Sequence, residues 1–295
     1  ANGKATKNSG DANYMTNDFS ELGYLEITYT ISDYVSGDVK LRVGTGFSSS
    51  TRTANGTYTE IINKDSATFG FYGSGQYSVD NVTVKLYGTD GFITKLFDQT
   101  GNNITLDQSV AAYQPKAVEG GDVCTLNGKP TMRFNGTDPN GSHLTTGKFP
   151  ALTHPNALCC VVRPTAKSGL RYICDAGIDG SATAQRQILG IGSDEKFEIF
   201  GGAWANESAV ASNTVASLLW ANFDAGNSTM DLNGTVDSSG ESPGGGALDS
   251  LGLGARMNNT SNLECDISEF LIWDSNQESV KSGIKANINS HFNIY

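Results

Sequence analysis

Residues 22–31, Leu-Gly-Tyr-Leu-Glu-Ile-Thr-Tyr-Thr-Ile, alternate apolar and polar side chains with a period of two. Leu25, Ile27, Tyr29 and Ile31 fall on one side; Glu26, Thr28 and Thr30 fall on the other. Only an extended strand with one buried and one wet face puts such a pattern to use, because successive side chains of a strand point to opposite faces. The pattern recurs at 38–44, with Val39, Leu41 and Val43 inward, and at 56–62 after the hairpin signal Asn55-Gly56. It recurs again at 77–88, where Val82, Val84 and Leu86 are expected on one face. No helical period interrupts these stretches, so the first part of the chain is expected to be a small antiparallel β-sandwich.

The alternation restarts beyond residue 88. Strand-like runs occur at 129–136, 156–164, 195–202, 214–223, 227–234 and 264–274. Turn signals such as Asn135-Gly136, Asn140-Gly141, Asn233-Gly234 and Ser-Pro-Gly-Gly-Gly-Ala at 242–247 separate them. A chain of 295 residues with 35 Gly and 7 Pro suits many short strands joined by tight turns. We expect an all-β protein of two β-sandwiches, covering residues 1–88 and 89–295, with Leu96-Phe97-Asp98-Gln99-Thr100-Gly101 as the entrance to the second. One amphipathic helix is expected from Ser275 to Phe292. Ser275 and Glu278 have capping-box spacing, and Val280, Ile284 and Ile288 form an apolar stripe. Trp220 and Trp273 lie in apolar strands and are expected in the core.

The net charge of −11 argues against nucleic acid and anionic membranes as partners, and no apolar run reaches the roughly 20 residues of a bilayer-spanning helix. Five cysteines match neither a disulfide framework nor a zinc pattern, so they are expected as reduced, buried thiols. Cys159-Cys160 also invites a vicinal disulfide, but the pair sits in a continuous apolar strand where neighbours point apart. The chain opens at Ala1 inside strand-like sequence and is expected to begin within a longer polypeptide.

Two resemblances add to this reading. Residues 25–44, the stretch Arg-Thr-Ala-Asn-Gly-Thr-Tyr-Thr-Glu at 52–60 and the closing run 73–88 resemble a carbohydrate-binding-module-like jelly roll that lacks its first strand or two. Residues 95–295 resemble the concanavalin A-like, laminin-G-like domains of phage virion proteins and marine bacterial proteins. The motifs are KLFDQTGNNITLDQ at 95–108, NGKPTMRFNG at 127–136 and the ending from Ile267 to Tyr295. The Leu-Phe-Asp-Gln-Thr-Gly element and the helical ending are also similar to the catalytic sandwich of fungal-type arabinofuranosidases, whose two carboxylates match no residue here. The resemblance implies a non-catalytic virion surface protein, a tail fibre, spike or capsid decoration, assembled in a host cytoplasm. Its implied partners are cell-surface glycan and other virion proteins, and its implied state is a homo-oligomer. The alternatives are a secreted bacterial carbohydrate-active protein, either a glycosidase or its accessory module, and a purely structural virion module.

Candidate site residues follow from the chemistry of sugar recognition, which uses an exposed ring for stacking and amide or guanidinium donors. Trp204 and Asn206, in a Gly-rich stretch after a strand, are one source, and Arg186 and Gln187 from a neighbouring loop are another. Asp175 and Asp179, in Asp-Ala-Gly-Ile-Asp-Gly, are candidate ligands for a calcium ion, although the motif is not an EF-hand. Glu195, Glu198, Glu207 and Glu269 are the plausible carboxylates for glycoside hydrolysis, which needs two about 5–10 Å apart.

Overall fold

The computed structural model describes residues 5–8, 14–16, 23–47, 49–66, 68–166, 168–177, 186–211, 215–241 and 244–295. It is all-β, with antiparallel sheets and one α-helix near the C-terminal end. The chain divides into two compact units. One comprises Ala1–Asp90 with Glu119–Gly121, the other Gly91–Val118 with Asp122–Tyr295.

The first unit is a six-stranded sheet built on two long strands, Gly23–Val43 and Phe69–Leu86. The stretches read at 22–31 and 38–44 are halves of one strand. Its register against Phe69–Leu86 shifts between Ser32 and Ser36, and the extra residues there bend the strand. Leu25, Ile27, Tyr29 and Ile31 before the bend, and Val39, Leu41 and Val43 after it, all enter one core with Phe69, Phe71, Tyr77 and Val79. The sheet therefore coils around its own inner face. Gly37 and Gly75 make the crossing possible, since a Cβ on either would collide with the other strand's backbone. Val84 and Leu86 lie opposite buried Ile27 and Leu25. They and Val82 nevertheless remain exposed, so at this end the core covers the Gly23–Val43 strand but not the last residues of Phe69–Leu86.

The second unit stacks a nine-stranded sheet on an eight-stranded one. Alternation decides what lies between them. From the nine-stranded sheet come Phe134, Leu158, Cys160, Val162, Leu219, Ala221, Phe223 and Ile267. From the eight-stranded sheet come Ile173, Ala176, Leu189, Ile191, Phe197 and Ile199. The segment expected as a domain entrance is a hairpin of this unit. Lys95–Phe97 pairs with Thr105–Asp107 at an edge of the eight-stranded sheet, and Asp98 closes the turn by accepting hydrogen bonds from Thr100 and Asn102.

The nine-stranded sheet has a second apolar layer on its outer face. Ala157, Cys159, Val161, Leu218 and Trp220 point away from the sandwich and meet Ile288 and Phe292 of the helix Lys281–Phe292. Trp220 is fully buried and stacks on half-buried Trp273, ring centroids 4.9 Å apart. The helix is shorter than expected. Gln277 adopts φ 56°, a left-handed conformation that stops a helix from running through it. Val280, not Ser275, is the N-cap and is exposed; Glu278 accepts a hydrogen bond from Asn222 instead of capping the first turn. The helix is anchored by charge as well as by its stripe, because Lys281 and Lys285 both pair with Asp231 of the sheet beneath.

Candidate functional site

The outer face of the eight-stranded sheet carries the residues left over by the core. Once Ile173, Ala176, Leu189, Ile191, Phe197 and Ile199 point inward, Tyr172, Asp175, Arg186, Glu198 and Phe200 must point outward. Trp204, opposite Phe200 in the register, joins them. Its indole lies 5.0 Å from the Phe200 ring and 6.3 Å from the Tyr172 ring, centroid to centroid. Trp204 is 43% exposed, whereas Tyr172 is buried and Phe200 half-buried. Three aromatic rings thus form a supported platform whose outermost member faces solvent.

Arg186 lies beneath this platform, 6% exposed. Its guanidinium carbon is 5.6 Å from the Tyr172 ring centroid and 5.9 Å from that of Phe200, close enough for cation–π attraction. One amino group donates to the Tyr172 hydroxyl at 3.3 Å. The Arg186 Nε lies 3.5 Å from Oδ1 of fully buried Asp175, whose Oδ2 accepts from the Met257 backbone N–H at 2.9 Å. Burial pushes the Asp175 carboxyl up from its ordinary value, opposed by the Met257 N–H and by Arg186. Burial likewise raises the Tyr172 phenol. Among the described residues, Arg186 Nε and Nη1 and Asp175 Oδ1 make no hydrogen bond. Buried donors and acceptors without partners are uncommon and costly, so this spot has unused capacity for polar contacts.

Of the residues singled out from sequence, Trp204, Arg186 and Asp175 converge here. Gln187 does not. It lies on a strand, Arg186–Ile191, not a loop, and so points to the opposite face, where its Nε2 donates to the Gly246 carbonyl at 2.8 Å. Asn206 belongs to the strand Trp204–Ala211, and its side chain lies outside the described residues. Asp179 also lies outside them. The partner of Asp175 is Arg186, so a calcium ion on Oδ1 would face a guanidinium. No group of three or more metal-ligating side chains occurs among the described residues.

The candidate carboxylates are scattered. Glu195 sits in a turn with φ 67°, and Glu269 belongs to the other sheet. Glu198 and Glu207 are register partners on neighbouring strands, but the Glu198 carboxylate folds over Gly192, where it would meet any Cβ. Cys159 and Cys160 are unpaired, buried and directed to opposite faces, and burial raises both thiols. Sequence reasoning missed Tyr172 and Phe200. The signal was present: in Glu-Lys-Phe-Glu-Ile-Phe the alternation that sends Phe197 and Ile199 inward sends Phe200 outward beside Trp204.

No protein-family profile and no curated protein matches the chain. Solved structures do, distantly. A heptameric SAP-like pentraxin from Limulus polyphemus shares 12% identity at a TM-score of 0.41, covering 55% of this chain and 84% of that one. The CBM40 of a Ruminococcus gnavus IT-sialidase, bound to α2,3 sialyllactose, shares 11% at 0.36, covering 45% and 83%. The binding domain of botulinum neurotoxin serotype D/C shares 14% at 0.43, covering 69% and 52%.

Proposed function

We propose that this chain is a non-catalytic glycan-binding protein whose site is the Trp204 platform. The observation that carries the reading is an exposed indole braced by Phe200 and Tyr172, directly beside buried polar atoms of Arg186 and Asp175 that lack hydrogen-bond partners. A pyranose offers an apolar C–H face and a rim of hydroxyls. The first would stack on Trp204, and the second would meet the guanidinium and carboxylate once the side chains adjust. One shallow platform binds weakly, so the setting that fits it is repetition. We place it on a virion surface, as a fibre, spike or decoration assembled in a host cytoplasm with other virion proteins, where copies in an oligomer raise avidity. A glycan array on the purified chain, followed by calorimetry on the best ligand, tests the site. Trp204→Ala is expected to weaken binding at least tenfold, about 1.4 kcal/mol or more; unchanged affinity overturns the assignment.

A hydrolase is the second reading, favoured by the pairing of Glu198 with Glu207 on this sheet. The direction of the Glu198 carboxylate, over Gly192 at the far end of the strand from Arg186, speaks against it. Release of nitrophenol from a panel of aryl glycosides, lost in Glu198→Gln, would replace binding by catalysis.

A further inference from the structure

The helix Lys281–Phe292 leaves a groove along its flank. The groove runs between the helix and the turn that joins the strands Ser228–Leu232 and Thr235–Glu241, and it measures about 480 Å³. The turn is Asn233-Gly234, with φ 49° and 81°, the left-handed pair that a tight two-residue hairpin requires. Gly234 has a second reason to lack a side chain. A Cβ there would lie 2.6 Å from the Tyr295 hydroxyl oxygen and 2.7 Å from the ring carbon that bears it. Tyr295 therefore rests on bare backbone, and it is still 51% exposed. Its own backbone is held in place. Asn293 adopts φ 50° at the end of the helix and turns the chain back. Asn127 donates to the Phe292 and Asn293 carbonyls at 2.9 and 3.1 Å. Asn289 accepts from the Ile294 and Tyr295 N–H groups at 2.9 and 3.0 Å and donates to the Tyr295 carbonyl at 2.7 Å. Two side-chain amides thus fix the returning chain, so the ring has little freedom left to lose when a ligand meets it.

The chemistry of the walls is neutral. Thr235, Ser282 and Ser290 bring exposed hydroxyls. Among the described residues no carboxylate lines the groove. Its one ammonium, Lys285, is buried, donates to the Gly234 carbonyl at 3.1 Å and is paired with Asp231. The other cation on Asp231, Lys281, has Glu278 at 3.6 Å. An ionic ligand would find no opposite charge left to pair with. What the groove offers is an anchored aromatic ring for an apolar C–H face and hydroxyls that both donate and accept. That is the complement of an uncharged sugar. The volume falls in the usual range of small-molecule sites, about 300–1,000 Å³, and suits one or two pyranose rings.

We propose that the groove between Gly234, Tyr295 and the helix binds a neutral mono- or disaccharide. This site shares no residue with the Trp204 platform and stands whether or not that platform binds sugar. The test titrates the full chain with methyl glucoside, methyl galactoside, N-acetylglucosamine, maltose and lactose, following backbone amides by NMR. Saturable shifts of the Gly234 and Asn289 amides with at least one of these sugars are expected, and they should persist in Trp204→Ala. The Trp204 indole N–H reports on the platform separately. Tyr295→Ala should weaken groove binding about tenfold, whereas Tyr295→Phe, which keeps the ring, should change it about twofold or less. Ala286→Trp fills the groove from an exposed helix position and should abolish the shifts. Neither position lies in the core, so one variant decides the matter if the other fails to fold. Absence of saturable shifts at Gly234 and Asn289 with every sugar overturns the proposal, as do shifts that survive Tyr295→Ala and Ala286→Trp. Tighter binding of glucuronate than of methyl glucoside overturns the neutral assignment. A disaccharide that binds more tightly than its component monosaccharides points to the end of a glycan chain; equal binding points to a free sugar.

Discussion

Both sheets of the second unit bury a carboxylate beside cations on their outer faces, and the two faces treat it differently. Asp231 lies under the helix, with Lys281 and Lys285 closing on it and the Trp220–Trp273 stack alongside. Asp175 lies under a single aromatic layer, with Arg186 at 3.5 Å and polar atoms left unused. On one face a helix completes the packing. On the other the outermost ring, Trp204, faces water. Where the covering element is present the polar group serves the fold; where it is missing the same ingredients become available to a ligand.

Truncating the two tryptophans puts that contrast to its most severe test. Trp220→Ala removes a fully buried ring from the helix-covered layer and is expected to cost about 3–5 kcal/mol of stability. Trp204→Ala should cost about 1 kcal/mol or less, because the ring is 43% exposed, while ligand affinity falls. Chemical denaturation of both variants checks this, and equal losses would mean that Trp204 is core. Next come the carboxylates. Asp231→Asn leaves buried Lys285 without its counter-ion and Lys281 with only the exposed Glu278 carboxylate 3.6 Å away, and should cost about 3 kcal/mol. Asp175→Asn removes a carboxylate whose charge burial already disfavours, so its loss should be clearly smaller in the same denaturation series.

How much of this was legible follows from the period of two. The alternation at 25–31 and 38–43 located real inward faces, and the same rule applied to 195–202 puts Phe200 beside Trp204. What it could not show was where one strand bends into two, since the shift at Ser32–Ser36 depends on the partner's register. Val82, Val84 and Leu86 had the right pattern, but exposure depends on what covers a face, not on the strand itself. The capping box failed for a similar reason: Glu278 is drawn to Asn222 and Lys281, and Gln277 turns left-handed ahead of the helix. At the site, Trp204 and Arg186 were readable as residue types suited to sugar. The opposite orientation of Gln187 follows only once both residues are known to lie on a strand, and the Asp175–Arg186 pair needs the register between two strands.

The mildest of these effects is the pH dependence that Asp175 gives to stability. Burial raises the folded-state pKa of Asp175 above its ordinary value near 3.9. The folded protein therefore holds this proton when the unfolded chain has released it. Stability from the group is present below the ordinary value and is lost as pH rises through the raised one. Asp38, Asp65 and Asp98 behave in the opposite sense, since hydrogen bonds from Ser74, Thr45 and Thr100 hold their carboxyls down. Comparing wild type with Asp175→Asn cancels those contributions, because both proteins contain them. Melting temperatures measured from pH 4 to pH 7 should show the wild type losing ground to Asp175→Asn as pH rises. A difference independent of pH would mean that Arg186 compensates the buried charge in full. The open face would then be as completely paired as the covered one, and its spare polar capacity would reduce to the unused donors of Arg186.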